Sequence, residues 1–196
     1  MEAPELSPRA AEIAEHAKAL LAAGGYNGFS YADISDRVRI GKASIHHHFP
    51  SKAELVLTVV RMHRAQARAG LAALNQQVND PQARLNAYTG YWAQCIRDNS
   101  MPICICAMLA AELPAIPSEI AHEVRTYFEE LSGWLTAVMA LGAERGTFRL
   151  KDAPAVEAHA FMATVHGAML SARAFGHPET FETITQAAIG RLAAPA

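Results

Sequence analysis

Three consecutive histidines, His46, His47 and His48, sit inside GKASIHHHFPSK (residues 41–52) and form the densest set of potential ligands in the 196-residue chain. Imidazole can bind transition metals, carry protons near neutrality or donate hydrogen bonds to anions. A second reactive set is the cysteines Cys95, Cys104 and Cys106. Spacing argues against a metal at the histidine run. A helix turns each successive side chain by about 100°, so the three imidazoles diverge. Helical histidine ligands pair at i, i+3 or i, i+4, and a strand, which would align His46 with His48, is not supported by any alternation around them. No metal and no cofactor is expected. No Gly-rich phosphate loop, GxSxG or HExxH is present, and the remaining acids and histidines are scattered, so an enzyme is not expected.

Charge is divided unevenly. Residues 1–70 carry nine Lys/Arg against seven Asp/Glu and five of the nine histidines, whereas residues 71–196 carry eight Lys/Arg against twelve Asp/Glu. A basic N-terminal segment suits an anionic partner. Three cysteines and no apolar leader segment fit a reducing cytosol. The longest apolar run, Ile103 to Ala111, is nine residues, too short to span a bilayer. A cytoplasmic location is expected.

The elements that must position the histidines are helical. Ile13, Ala17, Leu20 and Leu21 form an i, i+4, i+7, i+8 stripe, predicting a helix over 8–23 that Gly24-Gly25 ends. Ser30 with Asp33 three residues on gives a capping-box start, hence a helix from Tyr31 to about Val38. A second short helix runs from about Lys42 to His47, and Ser51 caps a fourth whose stripe is Leu55, Val59 and Met62. Further helices are predicted over 81–98, 103–112, 118–144, from Pro154 to about 175, and from His177-Pro178 onward, with a stripe of Phe181, Ile184, Ala188 and Leu192. Asp80-Pro81 and Gly146 supply a start and a stop. The fold class is all-α with about nine helices, an N-terminal helical domain over residues 8–65 and a second helical domain over residues 66–194.

A capped helix, a turn at Gly41 and a short polar helix make a helix-turn-helix layout. Ile34, Val38 and Ile45 would lock the two helices, with Phe49 closing the base. Lys42, Ser44 and His46 would face outward, and Ala43 would allow close approach to a groove. Lys52 and the start of the fourth helix could hold a phosphate. A solvated polar helix edge is the plainer alternative.

The stretch FSYADISDRVRIGKASIHHHFPSKAELV closely resembles the TetR family of bacterial transcriptional regulators. Ser30, Ile34, Val38, Ile45, His47, His48, Phe49, Ser51, Lys52 and Leu55 match the family pattern. His46 stands where the family usually has a tyrosine, and Arg39-Ile40-Gly41 replaces the usual turn. The resemblance implies a DNA-binding homodimer, most often a repressor released by a small-molecule effector, with Ser30, Tyr31, Lys42, Ala43, Ser44, His46, His47 and Lys52 at the double-stranded operator. The two recognition helices of such a dimer would read half-sites about 34 Å apart.

In such regulators the rear helices enclose an effector pocket and the last two form the dimer. Candidate pocket residues are Tyr88, Tyr91, Trp92, Cys95, Met108, Phe128, Trp134, Met139, Met162, His166 and Met169, although aromatics and methionines at helical spacing also build ordinary cores. Ala160, Ala163, Gly167, Ser171 and Ala174 lay small residues along the eighth helix, suiting either a close dimer contact or packing within the chain. Cys104, Leu109 and Glu112 resemble a TetR subgroup with a cysteine at the start of helix six, some of whose members sense electrophiles or oxidants. Cys104 or Cys106 could therefore be a thiol switch, or all three cysteines could be small buried hydrophobes. A metal-binding helical protein is the remaining alternative class.

Overall fold

The computed structural model describes residues 6–194, which form nine α-helices and one short 3-10 turn. These are α1 (Pro8–Gly24), α2 (Tyr31–Val38), α3 (Lys42–His48), α4 (Lys52–Gln77), α5 (Pro81–Arg97), α6 (Ile105–Ala110), α7 (Ser118–Glu144), α8 (Pro154–Phe175) and α9 (Glu179–Leu192). The chain divides into two units. The first comprises residues 1–67 and 104–127, and the second residues 68–103 and 128–196. Among the described residues no helix is long and apolar enough to cross a membrane.

In the first unit, Ser7 caps α1, its Oγ accepting from Ala10 N at 3.3 Å, and Pro8 opens the helix. A proline is tolerated there because the first-turn N–H groups have no intrahelical partner. The predicted stripe Ile13, Ala17, Leu20 and Leu21 is buried. The chain then turns tightly. A Cβ on Gly28 would fall 2.3 Å from the Gly24 carbonyl oxygen, so only glycine fits that approach. The Glu112 carboxylate, just beyond α6, accepts from Tyr26 N at 2.6 Å and holds the turn.

The sixth helix is shorter than its apolar run suggests. Cys104 is its N-cap with extended backbone, and the helix ends at Ala110 before a 3-10 turn at Leu113–Ala115. Pro114 lies within that turn and cannot donate the hydrogen bond that a continuing helix needs.

In the second unit, Asp80 caps α5 through Ala83 N at 2.7 Å, with Pro81 following. α9 packs on both α5 and α8. Its first residue is Glu179, slightly later than expected, because Pro178 takes the cap position. The core contains Leu85, Trp92, Leu131, Leu135, Val138, Phe161, Val165, Phe181 and Ile189. Gly142 lies flat against Phe148, whose ring atoms would be 2.0 Å from an added Cβ. Gly146 ends α7 with φ of 70°.

Candidate functional site

The candidate site begins at Ser30. Its backbone N–H donates to Asp33 Oδ2 at 2.7 Å, its hydroxyl donates to the same oxygen at 2.7 Å, and its Oγ accepts from Ala32 N at 3.2 Å. The Ser30 hydrogen bonds hold the Asp33 carboxyl below its ordinary pKa. The cap fixes where α2 starts, and Ile34 and Val38 bury its inner face.

The turn into α3 is unusual in composition. Arg39 occupies the left-handed region, at φ 55° and ψ 44°, which a non-glycine residue adopts at a cost. The turn is held by Ile40 N donating to Ser35 O at 3.3 Å and Ser35 Oγ donating to Ile40 O at 2.6 Å. α3 follows with Gly41 as an N-cap that has no side-chain bond, leaving its first N–H groups open toward solvent. Ile45 is the one fully buried residue of α3, and Phe49 closes the base.

Lys42, Ala43, Ser44, His46 and His47 are all exposed. With Ile45 anchored, they form a convex face carrying a cation, a hydroxyl, a methyl and two imidazoles. Small residues in its middle let the backbone approach a groove, while the longer donors can reach base edges or phosphates. His46 lies against Tyr31, ring centroids 4.7 Å apart, with its Nδ1 3.2 Å from the Pro50 carbonyl oxygen.

Two residues expected at DNA make hydrogen bonds within the chain. Tyr31 is buried and its hydroxyl donates to the Phe49 carbonyl at 2.8 Å, joining the start of α2 to the end of α3. Burial, followed by the charge of Glu54, pushes its pKa up to about 12. Lys52 Nζ donates to the Phe29 carbonyl and lies 4.8 Å and 4.4 Å from the Tyr26 and Phe29 ring centroids. Burial lowers its pKa, opposed by Glu112 and Asp33. Tyr31 thus ties α2 to the end of α3, and Lys52 ties the start of α4 to the turn before α2. Arg37 and Arg39, exposed on α2 and the turn, were not singled out by sequence reasoning. The signal available for Arg39 was a basic residue in a turn where the resemblance leads one to expect glycine.

The cysteines occupy different surroundings. None forms a disulfide, and all are buried. Cys95 lies in the second unit, whereas Cys104 and Cys106 lie in the first and are fully inaccessible. The Cys104 sulfur is 3.6 Å from His63 Nε2 and 3.4 Å from the Tyr127 hydroxyl. Burial, together with Cys104 beside it, holds the Cys106 thiol well above its ordinary pKa. Thiols that sense oxidants are usually exposed and of low pKa, and Cys106 has neither property. Beside this cluster, the buried Glu123 carboxylate accepts from Arg61 Nε at 2.9 Å and from Arg64.

The pocket candidates are divided between the two units. Met108 belongs to the first unit and the others to the second. Tyr91 is 55% exposed, on the outer face of α5. Tyr88 and Trp134 approach within 5.7 Å, and the Trp134 indole donates to Asn75 Oδ1 at 3.0 Å. Trp92, Cys95, Met139 and Met169 are buried, and Phe128 and Met162 are partly so. Phe128 meets the edge of His166 at 5.1 Å, and His166 Nε2 is buried with no hydrogen-bond partner among the described residues. An open groove of about 190 Å³ lies elsewhere, between Arg149, Glu157, Phe161, Thr164 and Arg191. Of the proposed contact residues, Ala160, Ala163, Gly167 and Ala174 are exposed and Ser171 is partly exposed. Leu170 and Phe175, 56% and 67% exposed, add apolar area to α8.

A capped helix, a left-handed turn and a short polar helix define a helix-turn-helix DNA-binding protein. Comparison with known families agrees. The profile of bacterial regulatory proteins, tetR family, matches residues 13–59, and that of the tetracyclin repressor-like C-terminal domain matches residues 81–188. A transcriptional regulator of the TetR family from Agrobacterium tumefaciens is 49% identical with a TM-score of 0.92, over 95% of this chain and 98% of that one. A TetR transcriptional regulator from Legionella pneumophila shares the fold at 24% identity and a TM-score of 0.84, over 96% and 100% of the two chains. AibR, solved with isovaleryl coenzyme A and operator DNA, shares it at 22% identity and a TM-score of 0.73, over 96% and 100%. Among curated proteins nothing matches. The chain belongs to the TetR family of bacterial transcriptional regulators.

Proposed function

We infer that this regulator is a homodimeric repressor that leaves its operator when a small molecule binds its second unit. The observation that carries the operator contact is the face of α3, where Lys42, Ala43, Ser44, His46 and His47 are exposed around the buried Ile45. Lys42, Arg39 and His47 contact phosphates, and Ala43 and Ser44 approach base edges. Ser30 sits at the positive end of α2, where a phosphate is favoured. Tyr31 and Lys52 act by positioning.

The exposed small-residue face of α8, with Leu170 and Phe175, supports dimer formation, because small side chains let two helix backbones approach closely and the apolar residues gain by burial. The buried His166 Nε2 supports an effector site. A buried polar atom with no partner costs free energy, and a ligand that is largely apolar but carries one hydrogen-bonding group would relieve it. Tyr88, Trp92, Trp134 and Met169 supply the apolar surroundings expected of such a site. The effector lowers operator affinity by favouring a conformation that binds DNA poorly.

The test is a fluorescence-anisotropy titration against DNA from upstream of the protein's own gene and against unrelated duplex, at two salt concentrations. Sequence-selective binding is expected, with Lys42→Ala lowering affinity on all duplexes and reducing the salt slope by about 1. Ser44→Ala should relax selectivity instead. Equal, feeble binding to every duplex, extending to a selection from random sequences, would remove the operator reading.

A further inference from the structure

Cys104, Cys106 and His63 were separate in the sequence, the histidine lying 41 residues before Cys104. The fold brings them together in the first unit. All three are buried, and their sulfur and nitrogen atoms lie within 4.8 Å of one another. We propose that His63, Cys104 and Cys106 form a zinc(II) site.

The spacing suits the ion. Zinc–sulfur and zinc–nitrogen bonds of about 2.3 Å and 2.0 Å, opened to a tetrahedral angle, separate the two donor atoms by about 3.5 Å. Cys104 Sγ and His63 Nε2 are 3.6 Å apart. Cysteines two apart on a regular helix would diverge by about 200°. Cys104 escapes that constraint because it is the N-cap of α6, at φ −61° and ψ 125°, and is not itself helical.

The chemistry is consistent. Thiolate and imidazole donors select zinc over magnesium or calcium. Binding exchanges two thiol protons, released to solvent, for one dication, so the ion and its two thiolates carry no net charge. That neutrality matters in a buried setting, where an uncompensated charge is costly. The Tyr127 hydroxyl, 3.4 Å from the Cys104 sulfur, is placed to donate to a coordinating thiolate. Glu123 is held by Arg61 and Arg64, leaving the two sulfurs and the imidazole as the primary donors.

The site goes beyond operator binding, and its test uses metal alone. The reduced, chelator-stripped full chain is titrated with zinc against a chromophoric chelator, and with cobalt(II), whose charge-transfer absorption reports thiolate ligation directly. One equivalent per chain is expected, with a thiolate–cobalt band and release of about two protons per zinc at neutral pH. Cys104→Ser with Cys106→Ser should abolish both signals, and His63→Ala should abolish stoichiometric uptake. Cys95→Ser and a variant with alanine at His46, His47 and His48 should retain them. Far-ultraviolet circular dichroism checks that each variant is folded. The wild-type cobalt spectrum does not depend on any variant folding. Absence of a thiolate band there would overturn the site, as would zinc uptake that follows the three-histidine run.

Discussion

Replacing Tyr31 with phenylalanine separates two roles for this side chain. The resemblance to TetR regulators places Tyr31 at DNA, whereas its hydroxyl donates to the Phe49 carbonyl at 2.8 Å from a buried position. Tyr31→Phe keeps the ring and deletes that donor. The Phe49 carbonyl then remains inside without its partner. Deleting one member of a buried hydrogen bond costs about 1–3 kcal/mol. Because the ring packing is retained, about 1–2 kcal/mol is expected. Urea denaturation should show an earlier midpoint with an unchanged slope. The pH dependence provides a second reading. In the fold, burial and then the charge of Glu54 push the Tyr31 pKa from the ordinary 10.0 up to about 12. The unfolded chain therefore loses this proton first as pH rises. The stability that Tyr31 contributes is fully present below about pH 10 and is lost between there and pH 12. The wild type's advantage over Tyr31→Phe should shrink across that window. Unchanged stability in Tyr31→Phe, together with weaker binding to every duplex, would refute the positioning role and restore a phosphate contact.

Four further outcomes follow from the same geometry. Arg39→Gly removes a side chain from the left-handed region and should raise stability by up to about 1 kcal/mol after glycine's entropic penalty, while anisotropy should show weaker operator binding from the lost charge. Ser30→Ala should cost about 1 kcal/mol by removing the α2 cap. The lowered Asp33 pKa means that its contribution to the cap is fully present above 3.8 and is lost as pH falls through the folded value, so in an acid titration the difference between wild type and Asp33→Asn should shrink across that window. Glu123→Ala removes the buried carboxylate that pairs with both Arg61 and Arg64 and should cost more than Arg61→Ala, which removes a side chain 40% exposed and should cost under about 1 kcal/mol; similar losses in urea denaturation would contradict this ordering.

Most of the helical framework was legible because it is written in local interactions. The capping box at Ser30 and Asp33, Pro8 and Pro81 at helix starts and the glycine stops act over four residues or fewer. The stripe through Ile13, Ala17, Leu20 and Leu21 likewise needs only helical periodicity. α6 is shorter than the span of roughly 103–112 that its apolar run predicts, because such a run cannot distinguish a longer helix from a buried cap followed by a tight turn. Cys104 became that cap, and Pro114 prevented continuation.

The sequence by itself determined the all-helical class, the capped α2, the short polar α3 and the likeness to TetR regulators, since each depends on residue types at fixed short spacing. Tertiary structure alone decided that Tyr31 and Lys52 bond to the Phe49 and Phe29 carbonyls, that Glu112 holds the turn at Tyr26, and that His63 meets Cys104. Those facts join residues 18 to 86 positions apart. Such proximity is set by how whole apolar faces pack against each other, and no local pattern records it.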